Sequence, residues 1–302
     1  MILNVSTSLN VLYSNDYSVS AVQQLKRIHN CGFRYIDMNF CDWCLDEASP
    51  FRCEKWENWI EELGEYARVN GITFNQAHAP MINNVLSGNE LMDELSIRSI
   101  RGAGMLGIRW IVFHAGHFPG EYDKTHIEAL KKANLTWFDK IVNVAVKSNV
   151  GIAIENMFSP WDHEMKKRKR FYCDLLEHQI ELVDEFGSSY VGVCWDTGHA
   201  NVQGYDQAEC LRTIGKRLKA LHIADNDGYS DQHYAPYYGN ILWDKFIRTL
   251  YEIGYEGEFT FETAQFIRDR LPDEVRDSAI RLLYNIGEHI VNIKNQIKDV
   301  TK

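Results

Sequence analysis

One pattern restricts the fold of this chain more than any other. A short run rich in β-branched and aromatic residues recurs eight times, and an amphipathic stretch follows each one. The runs are "ILNVST" (2–7), "FRYIDMN" (33–39), "ITFNQAH" (72–78), "IRWIVFH" (108–114), "VGIAIEN" (150–156), "YVGVCWD" (190–196), "LKALHIAD" (218–225) and "EFTFE" (258–262). Their starts fall roughly 28–42 residues apart, the span of one strand-plus-helix unit. In the stretches between, Val22, Leu25 and Ile28 share a helical stripe that stops at Gly32. Trp56, Ile60 and Leu63 share another that stops at Gly71. A closing helix is entered by Pro272 and Asp273. Eight strands alternating with eight helical connections predict an α/β fold, a parallel (β/α)8 TIM barrel, as a single domain over residues 1–302. A doubly wound sheet is the alternative. It would carry a glycine-rich turn after its first strand, and "NVSTSLNVLY" has none.

The bulk properties agree. The 302 residues are 45% hydrophobic and 25% charged, with mean hydropathy -0.34, enough to bury a core without disulfides. With 32 basic and 42 acidic residues the formal charge is -10, which gives no general attraction to nucleic acid or an anionic membrane. No apolar run approaches the length of a membrane span. The seven cysteines are odd in number and irregular in spacing, and "MILNVSTSLN" lacks the regions of an export signal. These features predict a cytoplasmic protein with free thiols. Cys41 and Cys44 form a lone CxxC, read as free thiols rather than a redox pair. Two long connections, 39–53 and 156–171, are candidate lids. The second holds the one strong basic run, "MKKRKR" (165–170), read as a solvated face with an anion contact as the alternative.

In a parallel barrel the C-terminal strand ends converge on one mouth. Six consecutive runs here carry, at or near their ends, His78, His114, Glu155, Asp196, His222 and Glu262. One such residue is ordinarily a satisfied structural group, but six at equivalent positions are costly unless paired or ligated. Three clustered carboxylates also raise one another's pKa, which a divalent cation relieves. Mixed imidazole and carboxylate ligation suits Zn or Mn better than Ca or Mg. The loops add His199, three residues after Asp196, and Asp231 with His233. In "HIADNDGYSDQH" (222–233), Asp225, Asn226, Asp227 and Gly228 read as the turn out of the strand.

The motifs "QAHAP" (76–80), "FHAGH" (113–117), "AIENM" (153–157), "WDTGHAN" (195–201), "LHIADNDG" with "DQHYAPYYGNILW" (221–243) and "FTFET" (259–263) stand in order over roughly residues 72–263. Together they resemble the xylose isomerase-like TIM-barrel superfamily, and within it the sugar phosphate isomerase/epimerase group. That superfamily also contains the endonuclease-IV-type enzymes. The resemblance implies a four-ligand site of Glu155, Asp196, His222 and Glu262, with Glu155 and Glu262 as the catalytic acid/base pair. By the three-zinc pattern of the endonuclease type, His78, His114 and Glu155 would hold one ion. The four-ligand set would hold a second, and His199, Asp231 and His233 a third. The ketose 3-epimerases of the superfamily carry an Arg six residues after the strand-seven His, where this chain has Gly228.

The favoured expectation is a metal-dependent isomerase or epimerase of a small sugar, polyol or sugar phosphate, working through an enediolate. Its cofactor would be one to three divalent ions, Zn or Mn. His199, His117, Trp161 and Tyr229 would contact the substrate, within a mouth whose other loop aromatics are Phe40, Trp43, Phe118, Tyr234, Tyr237 and Tyr238. The alternatives are zinc-dependent phosphodiester hydrolysis and a dehydratase or lyase sharing the enolate chemistry. The loops "NQAHAPMINNVLSGNE" and "HAGHFPGEYDK" hold one Lys between them, which disfavours nucleic acid as a partner. Self-association into a homo-oligomer is left open.

Overall fold

The computed structural model describes residues 3–13, 17–81, 83, 85, 90–164 and 166–300, the segment 294–300 by its backbone alone. Ile2 of the first run, Met165 of the basic run and part of the loop before residue 90 lie outside the described residues. Each predicted run forms one strand: β1 (Val5–Ser8), β2 (Tyr35–Asn39), β3 (Thr73–His78), β4 (Trp110–His114), β5 (Gly151–Glu155), β6 (Val191–Asp196), β7 (Leu218–His222) and β8 (Phe259–Phe261). A long helix precedes each next strand or closes the chain: α1 (Ala21–Asn30), α2 (Trp56–Asn70), α3 (Glu90–Met105), α4 (Lys124–Ser148), α5 (Leu176–Glu185), α6 (Gln207–Ile214), α7 (Trp243–Glu252) and α8 (Asp273–Val300). The strands are parallel, in the order β8-β1-β2-β3-β4-β5-β6-β7. The last seam, β7 to β8, narrows to one bridge, Ile223 with Phe261. There Ile223 N donates to Thr260 O (2.8 Å) and Glu262 N donates to Ile223 O (3.0 Å). The result is a nearly closed (β/α)8 barrel.

Local chemistry sets these boundaries. Ser20 and Gln23 form a reciprocal capping box at the start of α1. Asp123 caps α4 through His126 N, and Asp206 caps α6 through Ala208 N and Glu209 N. Gly71 ends α2 in the left-handed conformation that glycine adopts without strain. Inside the barrel the period of two decides which side chains meet. Val112, Ala153, Cys194 and Ala220 form a small apolar cluster on β4–β7. Opposite them, Ser6 Oγ donates to Asn75 Oδ1 (2.7 Å) and Asn75 Nδ2 donates to Thr260 Oγ1 (3.2 Å). Two residues beyond each member of the apolar cluster stand His114, Glu155, Asp196 and His222, so one alternation builds both the filler and the mouth.

One expectation changes here. The 39–53 connection is packed down rather than free. Phe40 is fully buried against Phe51 (4.9 Å between centroids), and Trp43 lies against Tyr17 and Trp59. Phe40 and Trp43 are therefore core, not walls of the mouth. The basic run is solvent-exposed over residues 166–169, in line with the solvated-face reading, and it also has structural partners. Lys167–Arg168 pairs with Trp161–Asp162 in a short antiparallel ribbon, Arg168 Nη1 donates to Ser159 O (2.7 Å), and Arg170 pairs with Asp174. All seven cysteines are free, as expected.

Helix α8 lies closely over the β8–β1 seam. A Cβ at Gly287 would stand 2.5 Å from Val5 Cγ1 and 2.8 Å from the Phe261 ring. Gly287→Ala would add roughly 1 kcal/mol on an exposed helix. Here overpacking should prevail, lowering stability by about 1–3 kcal/mol. Urea unfolding of the two proteins would show a lower midpoint with the slope unchanged.

Candidate metal centre

The mouth is organised around Glu155, which is fully buried at the end of β5. Its Oε2 lies 3.1 Å from His114 Nε2, 3.1 Å from His222 Nδ1 and 3.7 Å from His78 Nε2. Its Oε1 lies 3.4 Å from His199 Nδ1. Glu262, just beyond β8, faces the same His222 Nδ1 at 3.4 Å. Backbone carbonyls fix the orientation of three rings. His78 Nδ1 donates to Ala79 O (2.7 Å), His199 Nδ1 to Asn156 O (2.8 Å) and His233 Nδ1 to Glu262 O (2.8 Å). Each leaves its Nε2 turned to the site, the orientation that ligating histidines use.

Asp196 divides its two oxygens. Oδ1 accepts from His199 N (2.6 Å) and caps the short helix Thr197–Val202, while Oδ2 is buried without a hydrogen-bond partner. Asn156 holds the Asp196 backbone from both sides, accepting from its N–H (2.6 Å) and donating to its carbonyl (3.0 Å). A second group lies above. Asp231 Oδ2 is 2.7 Å from His233 Nε2 and 3.5 Å from His199 Nε2. All nine predicted donors therefore meet around one mouth.

The loop that returns Asp231 and His233 is anchored by Asp225, which is fully buried. Its carboxylate accepts from Asn226 N (2.9 Å), Tyr237 N (3.0 Å), Ile241 N (3.2 Å) and Trp243 Nε1 (2.9 Å). Asp227 makes the predicted turn by accepting from Tyr229 N and Ser230 N. Gly228 follows at φ +82°, a conformation strained for Arg, so this loop could not simply exchange one for the other.

The electrostatics show what the site needs. Burial works against ionised Glu155, yet the imidazoles of His222 and His114 hold it well below the usual carboxylate range. Glu262 is lowered too, with His222 and His233 overcoming burial. Burial pushes Asp196 up to about 7, against the pull of His199. Burial, with His114, takes His78 down to about 4. Three imidazoles go the other way. Burial opposes it, but Cys194 and Glu155 raise His222, Asp196 and Asp231 raise His199, and Asp231 raises His233 to about 10. Protons on these rings supply the positive charge that the carboxylates demand.

A divalent cation would supply the same charge, and the residues fit one. His78 Nε2, Asp196 Oδ2, Asp231 Oδ1 and both nitrogens of His222 are buried without hydrogen-bond partners. Glu155, Asp196, His222 and Glu262 offer donor atoms that all lie within 4.8 Å of one another, as do His78, His114 and Glu155. Such a mixed imidazole and carboxylate set is compatible with a divalent cation.

The remaining predicted contacts are less central. His117 is half-buried at the rim, its ring edge-on to Phe171 at 4.4 Å. Trp161 is 50% exposed in the ribbon and Tyr229 is 81% exposed at its turn. Neither makes a ring or hydrogen-bond contact with the clustered side chains among the described residues. Phe118 packs on His126, and Tyr234 and Tyr238 pack on Phe266. The aromatic ring that does lie on the site is Phe158, stacked on His199 at 4.8 Å. Sequence reading also missed Asn156 and Asp37. Asp37 is buried within the barrel and pushed up to about 7 by that burial.

Comparison with known proteins places this geometry. A family model described as xylose isomerase-like TIM barrel matches residues 25–285. An uncharacterized protein of Methanocaldococcus jannaschii is 31% identical over 239 residues, 76% of this chain and 77% of that protein. A protein named D-psicose 3-epimerase, from Enterocloster bolteae, is 25% identical over 216 residues, 67% of this chain and 65% of that one. A protein named probable endonuclease 4, from Acholeplasma laidlawii, is 22% identical over 241 residues, 74% and 78% respectively. Among solved structures, a D-tagatose 3-epimerase-like protein superposes with a TM-score of 0.72 at 24% identity, covering 97% of this chain and 99% of that one. This last likeness bears on the fold.

Replacing Asp225 with Ala strands four donors at once, of which Asn226 N and Trp243 Nε1 are buried. The expected cost is about 3 kcal/mol or more, and the return loop loses its anchor. Thermal unfolding, together with hydrogen exchange at Tyr237 and Ile241, would register both effects.

Proposed function

The chain belongs to the xylose isomerase-like TIM-barrel family, and we propose that it is a divalent-metal-dependent epimerase or isomerase of a small sugar or polyol, working by proton abstraction next to a carbonyl. One observation carries the reading. Two carboxylates from different strands, Glu155 on β5 and Glu262 after β8, face the same atom, His222 Nδ1, at 3.1 and 3.4 Å. A site that removes a proton from one side of a carbon and returns one from the other needs such a pair. The relative named D-psicose 3-epimerase supports the class of reaction.

Glu155, Asp196, His222 and Glu262 would hold the cation, and His78, His114, His199, Asp231 and His233 could extend the site to further ions. When bound, the ion supplies Lewis-acid stabilisation of negative charge developing on the substrate's carbonyl oxygen. The protein's own groups do the rest. One of Glu155 and Glu262 accepts the proton α to the carbonyl, and the other protonates the opposite side of that carbon. Glu262 keeps 12% of its side-chain surface open and Glu155 only 1%, so Glu262 is the easier for a substrate to reach. His199 is placed to donate to a substrate hydroxyl, with the Phe158 ring beside it as an apolar wall. His117 would serve at the rim, and Trp161 and Tyr229 stand far enough out to meet only a longer substrate.

A second reading is metal-dependent phosphodiester hydrolysis. It is favoured by the meeting of all nine donors and by the relative named probable endonuclease 4. Against it, three arginines of the loops after the strands already have partners: Arg268 pairs with Asp42 (2.5 Å), Arg170 with Asp174, and Arg168 with the Ser159 carbonyl. Phosphate contacts would require such groups to be available.

In deuterated buffer, turnover of a free ketose should place solvent deuterium at the epimerised carbon. Glu262→Gln should lower kcat by about 10²–10⁴ while leaving the fold intact. Incision of an abasic duplex by the wild type, lost in the same variant, would replace this reading with the second.

Cation binding should also release protons. His222, His199 and His233 are raised and carry protons at neutral pH, and ligation takes the neutral ring. Affinity for Zn or Mn should therefore tighten as pH rises from about 6 to 8. Calorimetry in two buffers of different ionisation enthalpy would count the protons released.

A further inference from the structure

His222 presents a problem that the ligand set leaves open. Its ring is fully buried, and Nδ1 faces Glu155 at 3.1 Å and Glu262 at 3.4 Å. A buried imidazole must also place its other nitrogen, and His222 Nε2 has no hydrogen-bond partner among the described residues. Besides the stacked His78 ring and the buried Asp37, a thiol lies close to this ring. Cys194 on β6 pairs in register with Glu155 on one side and with Ala220 on the other, two residues before His222. Its sulfur belongs with Glu155 and His222 to a set of donor atoms all within 4.8 Å of one another. The Cys194 backbone is held in turn, its carbonyl accepting from the buried Gln179 Nε2 (3.0 Å), which also donates to Ile154 O (2.8 Å).

The bland role for Cys194 is filler among Val112, Ala153 and Ala220. Filler requires volume only, and a valine or alanine supplies that. A ring that must offer Nδ1 to a cation requires more, because the hydrogen bond at one nitrogen decides which one carries the proton. We propose that Cys194 is a positioning residue for the metal centre: its sulfur accepts from His222 Nε2–H and so holds the Nδ1 lone pair toward Glu155 and Glu262. Most ligating histidines meet a carboxylate or carbonyl at that position. Here the barrel interior provides sulfur, a weaker acceptor on a rigid strand. This inference rests on the metal-dependent reading above.

The test compares Cys194→Val and Cys194→Ala, which remove the acceptor, with Cys194→Ser, which keeps one. Zn and Mn affinities are measured by competition with a chelator, beside thermal unfolding of the metal-free proteins. The expected result is affinity about tenfold or more weaker in the Val and Ala variants, with Ser close to wild type. The metal-free melting temperatures should not follow that order. Equal affinity in all four proteins would overturn the inference and leave the metal-dependent reading standing. Failure of the wild type itself to bind either ion would overturn both. Cobalt loading supplies an independent arm. A sulfur-to-cobalt charge-transfer band in the wild type, absent in Cys194→Ser, would make Cys194 a direct ligand and also overturn the positioning role.

Discussion

Four carboxylates gathered in a dehydrated barrel mouth need positive charge, and the rest of the structure is arranged around that need. Glu155 feels it most. It is fully buried, and four imidazoles stand within 3.7 Å of its two oxygens. A carboxylate so enclosed is costly unless compensated, and imidazoles alone compensate it only by holding protons. The surrounding network keeps the donors where a compensating ion would meet them. Asp196 is fixed by its capping role and by Asn156, three rings are fixed through their Nδ1 atoms, and the returning loop is fixed by Asp225.

Much of this was legible from alternation alone. A strand that reads Ile-Ala-Ile-Glu or Val-Cys-Trp-Asp states which face is inside and where the mouth begins, so the strand-end donors could be found without a structure. The outer group was legible because Asp231 and His233 lie in a loop too polar for a core. What escaped had no such periodic mark. Phe40 and Trp43 follow a strand end just as Phe158 does, yet the first two turn into the core and the third stacks on His199. An aromatic after a strand carries no label for its direction, because the path of the loop decides it. Asp37 looked like one more alternating strand residue, and Asn156 acts through backbone contacts that no spacing announces.

The same geometry also explains why one family accommodates unlike reactions. The inner donors come from strand ends, whose positions the barrel fixes. The outer features come from loops, and those of this chain are particular: a glycine turn at Gly228, a ribbon tying down the basic run, and an Asp42–Arg268 pair beside the mouth. Chemistry belongs to the first set and choice of substrate to the second.

The seam between β7 and β8 gives the site a further role. That pairing is reduced to a single bridge at Ile223 and Phe261, and the residues on either side of it are His222 and Glu262. A ligand gripping both side chains would act as a clasp across the thinnest join of the barrel. Anything that binds the closed form and not the opened one shifts the balance between them. Occupancy at the mouth and integrity of the wall are then one equilibrium, and the loss of an ion would be felt first as a loosening between the seventh and eighth strands.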